Sequence, residues 1–316
     1  MKFIEKLPKK IFTMLIVIFC LLSISTVKSQ TTLRKALDYD GDGKADLVVF
    51  RPSDNTWYLN RSGSGDTARQ FGSFILDTPV PGDYDGDGKG DIAVWHELNG
   101  YFYYLRSSSN TFYAEQFGLA GDEPVARDYD GDGKTDLAVV RRINGVLNWY
   151  VSGSSDGFFA YQFGSSETDI PVPGDYDGDG KFDYAVQRID PNNLTALFYI
   201  TKSTNGTYYT VEFGGKEDKV VPGDYDGDGK TDLAIAVYFG NEWYWRIVQS
   251  SDGFVSNTSY GNPNIGDIPV QGDYNGDGKT DIAVWNNRDG MFKINGLPPQ
   301  VFGQRGDMPI ASYDTH

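Results

Sequence analysis

The stretch from residue 38 to residue 46, "DYDGDGKAD", decides how the rest of the chain is read. Four aspartates fall at its positions 1, 3, 5 and 9, with glycines between them. The pattern returns at 83–91, 128–136, 175–183 and 224–232, and at 273–281 with asparagine at position 3. Glycine lets the backbone turn at φ values that other residues avoid, so carboxylates spaced this way converge. At about 4 Å each pair repels by roughly 4 kcal/mol at an effective dielectric of 20. The loop therefore requires a cation, and an oxygen-only ligand set suits Ca2+.

Position 7, always lysine, offers its main-chain carbonyl as a further oxygen. The expected ligands in the first loop are Asp38, Asp40, Asp42, Lys44 and Asp46. The second loop has Asp83, Asp85, Asp87, Lys89 and Asp91, and the third Asp128, Asp130, Asp132, Lys134 and Asp136. The fourth has Asp175, Asp177, Asp179, Lys181 and Asp183, and the fifth Asp224, Asp226, Asp228, Lys230 and Asp232. In the sixth, Asp273, Asn275, Asp277, Lys279 and Asp281 keep every oxygen but lose one charge, so it should be the weakest site. An EF-hand loop opens alike but closes with glutamate at position 12. Here position 12 is Val49, Val94, Val139, Val186, Ile235 or Val284, and the chain enters an apolar run.

The loops start 45, 45, 47, 49 and 49 residues apart. A period of this size with β-type sequence marks propeller blades. After each loop comes an apolar run such as "DLVVF" or "DIAVW", then an aromatic strand such as "TWYLN" or "YFYYL". A third strand leads into "FG" at 71, 117, 163, 213 and 302, with "YG" at 260. An Asp-x-Pro-Val-like segment follows at 77, 122, 169, 218, 267 and 307 and makes a fourth strand. No stretch has a sustained helical period, so the expected fold is all-β, a β-propeller of four-stranded blades. The first loop lacks an "FG" lead-in and the last "FG" lacks a following loop, as when a ring closes by pairing its ends. Six blades fit; the alternative is a seventh, begun by "PIASYD" at 309–314.

Residues 1–29 stand apart from this domain, which takes in 30–316. Lys2, Lys6, Lys9 and Lys10 precede the apolar "IFTMLIVIFCLLSI", and small residues precede Gln30. This is the pattern of a secretory signal cleaved near Ser29, with an uncleaved anchor as the alternative. Cys20, the chain's one cysteine, lies inside it, so the remainder has no disulfide. The formal charge is −16, and removing that segment's five lysines and one glutamate leaves −20. Such a polyanion repels nucleic acid and anionic lipid. Of 44 acidic residues, 23 are the loop aspartates, so the charge is local to the loops.

The string "DYDGDGK-DLAVW … WY … FG … D-PVPGD" resembles the FG-GAP/VCBS repeat family and the calcium-binding blades of integrin α-subunit propellers. The resemblance covers about residues 33–314. It implies a propeller with calcium between the first two strands of each blade, held by Asp38, Asp40, Asp42, Asp46 and their equivalents. That family includes adhesins, lectin-like domains and scaffolds of polysaccharide-acting enzymes. The expectation is a secreted, monomeric, non-catalytic binding module for extracellular glycans or surface proteins, without nucleic-acid or membrane partners. The alternative is an extracellular polysaccharide lyase or hydrolase.

Other signals are sparse. His96 and His316 are the only histidines, so no serine triad or zinc site is expected and no catalytic residue is named. Arg305-Gly306-Asp307 spells an adhesion motif, but Asp307 fills the slot held by Asp77, Asp169 and Asp267 elsewhere. The tryptophans read as blade core; the alternative is that some rings, with Arg51, Arg141 or Arg188, line sugar-stacking grooves.

Overall fold

The computed structural model describes residues 36–73, 75–165 and 168–311. The expected signal segment and His316 lie outside the described residues. The chain forms six four-stranded antiparallel sheets. Blade 2 is representative, with strands Asp77–Pro79, Ile92–His96, Tyr101–Leu105 and Phe112–Gln116. The first lines the axis and the last is the outer edge. Blades 3, 4, 5 and 6 open with Glu123–Pro124, Asp169–Pro171, Lys219–Val220 and Asp267–Pro269. Among the described residues the only helical element is a 3-10 turn, Pro263–Ile265.

Burial follows strand order for a physical reason. The run after each acidic loop is covered on both faces by neighbouring blades, so it is apolar at consecutive positions. In Leu47–Arg51 the first four residues are all buried. The next strand alternates, with Trp57 and Leu59 inward along Thr56–Arg61. The outer strand, Gly65–Gln70, is largely exposed.

Blade 1 is made from both ends of the fold. Its inner strand is Met308–Pro309, which pairs with Leu47–Arg51 through Val49–Pro309 and Phe50–Met308. Ile310 N–H then donates to the Val48 carbonyl. The "PI" that could have begun a seventh blade therefore completes the first, because its β-bonding groups are taken by the waiting edge of Leu47–Arg51.

All six tryptophans are buried. The indoles of Trp57, Trp95, Trp149, Trp245 and Trp285 donate to the carbonyl of Phe71, Phe117, Phe163, Tyr260 and Phe302, the aromatic residues of the "FG" motifs. Trp243 donates to the Asp267 carbonyl. The tryptophans are thus core residues; in blades 1, 2, 3, 5 and 6 one of them ties the blade to its own turn, and burial keeps those five rings from stacking on a sugar.

Candidate metal centres

Loops 2 to 6 each leave the inner strand and enter the second strand, and loop 1 enters Leu47–Arg51, whose inner partner comes from the other end of the fold. An isolated bridge marks the base of each of loops 2 to 6, Gly82 with Asp91 in blade 2 and likewise Arg127–Asp136, Gly174–Asp183, Gly223–Asp232 and Gly272–Asp281. Position 1 organises the turn. Asp83 accepts N–H bonds from Gly86 and Asp87 on one oxygen and from Gly88 on the other, at 2.6, 3.1 and 3.0 Å. Gly86 and Gly88 have φ of +79° and +90°, where a side chain is strained. Position 9 joins the loop to a second segment. Asp46 accepts the N–H of Tyr39 and that of Ser62, both at 2.8 Å.

Ser62 belongs to the turn between the third and outer strands. Ser107, Ser154, Ser203 and Ser250 donate their N–H to Asp91, Asp136, Asp183 and Asp232 in the same way, at 2.7–2.8 Å. Sequence reasoning missed these serines. Their signal was a serine 16–20 residues after position 9 in five of the six repeats.

Among the described residues, five aspartate trios bring carboxylate oxygens within 4.8 Å of one another. In loops 2 to 5 the trio is positions 1, 3 and 9: Asp83, Asp85 and Asp91; Asp128, Asp130 and Asp136; Asp175, Asp177 and Asp183; Asp224, Asp226 and Asp232. In loop 1 it is Asp38, Asp40 and Asp42, while Asp46 holds its two N–H donors. Position 5 elsewhere stands outside the trio. Asp87, Asp132, Asp179 and Asp228 accept the N–H of Lys89, Lys134, Lys181 and Lys230 at 2.9 Å, as Asp42 accepts that of Lys44 at 3.0 Å.

The trios fit a hard cation. Asp40 Oδ1 and Asp177 Oδ1 are buried and accept no hydrogen bond, although their Oδ2 atoms do. A buried carboxylate oxygen with no partner carries a desolvation cost of several kcal/mol, roughly, unless a positive charge meets it. Burial pushes the carboxyls of Asp46, Asp136, Asp183 and Asp232 up to about 7 from an ordinary 3.8, and neighbouring carboxylates push the same way. Burial likewise raises Asp91 to about 6 and Asp128 to about 7. A cation among these oxygens restores the ionised form, and the absence of nitrogen or sulfur donors selects an oxygen-preferring ion.

Loop 6 departs from the others. The amide of Asn275 donates to Asp281 Oδ1 at 2.9 Å, where the other loops place a serine N–H. The corresponding turn reads "INGLPP" and has no serine, and Asn295 N–H goes to the Ile282 carbonyl. Asp273, Asp277 and Asp281 form no trio of the kind above. Burial still raises Asp281 to about 6.

The six loops also bond to one another in a closed ring. The N–H at position 8 of each loop donates to the position 1 carbonyl of the preceding loop, at 2.6–2.8 Å. The donors Gly90, Thr135, Phe182, Thr231 and Thr280 meet Asp38, Asp83, Asp128, Asp175 and Asp224, and Ala45 meets Asp273 to close the circle. The lysine stems follow the same circuit. A methyl group on Gly86 would come within 2.7 Å of the Lys134 side chain. Lys89, Lys181, Lys230, Lys279 and Lys44 lie likewise over Gly41, Gly131, Gly178, Gly227 and Gly276. The repeated lysine thus seals one loop against the next with its aliphatic stem.

The other end of each inner strand holds a second set of acids. Asp77, Asp122, Asp169, Asp218, Asp267 and Asp307 each accept an N–H from the turn after the "FG" or "YG" motif. Arg51, Arg141 and Arg188 make two-pronged bonds to Asp307, Asp122 and Asp169 at 2.6–2.9 Å. His96 pairs with Asp77, and Lys293 with Asp267. The three arginines considered as groove residues are therefore engaged, and each also covers a tyrosine face, Tyr58, Tyr150 or Tyr199. Asp307 is buried beneath Arg51, so the Arg-Gly-Asp triplet does not present its carboxylate.

A family model described as FG-GAP-like repeat matches residues 38–94, 128–186 and 224–284. No curated protein matches the chain. Among solved structures, dihydro-heme d1 dehydrogenase NirN in complex with DHE is similar at 14% identity and a TM-score of 0.36. The match covers 81% of this chain and 52% of that one, so this chain spans about half the length of that protein.

Proposed function

Since the chain belongs to the FG-GAP-like repeat family, we propose that it is a calcium-stabilised propeller serving outside the cell as a non-catalytic glycan-binding module. Oxygen-only trios and orphaned buried carboxylate oxygens support calcium as the ion. When bound, calcium supplies the positive charge that keeps the loop carboxylates ionised. The chain's own residues shape and seal the sites: position 1 caps the turn, the serine N–H fixes position 9, and lysine stems close each loop. The basic and apolar start of the chain supports export.

One observation carries the binding role. In blades 1, 3 and 4 an arginine covers the tyrosine of the third strand. Blade 2 has the shorter His96 in the arginine's place, and Tyr103 instead heads an aromatic wall. Tyr101, Tyr103 and Phe112 stack at centroid distances of 5.6 and 6.0 Å. Phe71 of blade 1 approaches Phe112 at 6.2 Å. A groove of about 380 Å³ runs along this wall, with Asn55 and Gln70 on its other side. Ring faces beside amide groups match the C–H faces and hydroxyls of a sugar.

Glycan-array screening of the purified chain in calcium tests the reading. A hit whose affinity falls at least tenfold in Tyr103→Ala and Phe112→Ala, at unchanged melting temperature, is the expected result. A ligand indifferent to both substitutions would refute the groove, and release of reducing ends from the glycan would refute the non-catalytic role.

A further inference from the structure

The triplet Arg305-Gly306-Asp307 divides its charges between two environments. Asp307 is buried against Arg51, whereas Arg305 is exposed at the wall of the axial cavity. That cavity has a volume of about 930 Å³, and Lys219 and Arg288 also line it. Arg127 is a fourth basic residue of the wall; it stands where blades 2, 4, 5 and 6 have Gly82, Gly174, Gly223 and Gly272. The two acids in the lining are already neutralised, Asp267 by Lys293 at 2.9 Å and Asp307 by Arg51 at 2.8 Å. Lys219, Arg288 and Arg305 thus give the axis of a chain with formal charge −16 a basic lining, Arg288 donating as well to the Asn264 carbonyl at 2.8 Å.

The rest of the wall sharpens the chemistry. Pro79, Pro124, Pro269 and Pro309 bring no N–H to the axis. Among the charged side chains of the wall, lysine and arginine are donors only. A ligand that satisfies them must present acceptor oxygens and negative charge. The proline rings, with Trp243 and Ile268, add apolar surface that a free inorganic anion would leave uncovered. A volume near the upper end of the usual range for small-molecule sites, about 300–1,000 Å³, suits one to two sugar rings.

We propose that the axial cavity is a second binding site, for a small carboxylate-bearing saccharide, with Lys219, Arg288 and Arg305 taking the carboxylate. It is separate from the groove between blades 1 and 2 and does not depend on it.

Calorimetric titration of the full chain in calcium tests this with three probes: a digalacturonate, its neutral digalactose counterpart, and inorganic phosphate. The digalacturonate should bind at least tenfold more tightly than digalactose, and its affinity should fall as salt is raised. Lys219→Glu with Arg305→Glu should weaken it at least tenfold, and the milder Lys219→Gln with Arg305→Gln should weaken it less, both at unchanged melting temperature. Tyr103→Ala should leave it unaltered, which separates this site from the groove. Absence of digalacturonate binding, binding indifferent to the charge changes, or phosphate binding as tight as digalacturonate would overturn the proposal.

Discussion

Each blade holds an aspartate at either end of its inner strand, buried or half-buried, and the two ends neutralise that charge in different ways. At the turn after the "FG" motif, Asp307, Asp122, Asp169 and Asp267 have Arg51, Arg141, Arg188 and Lys293 against them. At the acidic loop, Asp46, Asp136, Asp183 and Asp232 accept two or more N–H bonds, and burial lifts them to about 7. Asp218 sits between the extremes. Burial raises it, while Arg246 lowers it through space without contact. One end of the blade therefore carries its counter-charge in the sequence, and the other takes it from solution. The first end should be indifferent to calcium, and the second governed by it.

The largest effect is expected at the self-neutralised end. Arg188→Ala leaves buried Asp169 without its two-pronged partner. Loss of one member of such a pair costs about 3–5 kcal/mol. Urea unfolding should give the same loss in calcium and in chelator; a loss that appears only in calcium would erase the distinction between the two ends.

Acidity should sharpen it next. In metal-free protein the folded state keeps protons on Asp46, Asp136, Asp183 and Asp232 up to about pH 7. The unfolded chain releases them near an ordinary value of about 3.9. Between these limits the folded state binds more protons, so stability falls as pH rises from about 4 to 7. With calcium bound the slope should reverse, because protons compete with the ion. Melting temperatures across this range, with and without chelator, check it, and parallel slopes would contradict it.

A single loop should matter less. Asp177→Ala removes the orphaned oxygen and one member of the fourth trio. With calcium at about five times Kd, loss of one site removes about 1 kcal/mol. In chelator the same substitution should cost nothing or stabilise slightly, since it relieves repulsion with Asp183. Equal losses under both conditions would mean that Asp177 serves packing alone.

The sixth loop gives an effect no larger, and one that does not depend on calcium. Asn275→Ala removes the amide bond to Asp281. It should cost about 1 kcal/mol, in calcium and in chelator alike, and equilibrium dialysis should still count about five bound ions. A sixth tight ion in the unsubstituted chain would show that loop 6 belongs with the other five.

How much of this was legible in the sequence depended on distance along the chain. The loops and the period could be read because each lies within about one repeat; ring closure was legible only as the missing lead-in at one end and the missing loop at the other, and the choice of six blades waited on the pairing of Val49 with Pro309. The serine turns were visible in principle, since Ser62, Ser107, Ser154, Ser203 and Ser250 recur, and the serine is missing from the repeat that carries Asn275. Lysine at position 7 was expected to act through its carbonyl. The placement of its stem over the preceding loop's glycine is a contact between blades, which no local pattern records. The same limit applied to Arg51, Arg141 and Arg188. Sequence places them beside aromatic strands but cannot tell that a buried aspartate holds each one, 19 residues upstream for Arg141 and Arg188 and 256 residues away across the ring closure for Arg51.

The central claim is that five of the loops take their counter-charge from calcium and that the fold depends on it. Five sites at about 1 kcal/mol each approach the net stability of many whole domains, about 5–15 kcal/mol, and no disulfide follows the N-terminal segment to compensate. Differential scanning calorimetry at neutral pH, with calcium and after verified removal by chelator, measures this directly. The expected outcome is a fall in melting temperature of about 10 °C or more, restored by calcium and not by sodium at equal ionic strength. An unchanged melting temperature in the metal-free protein would contradict the account.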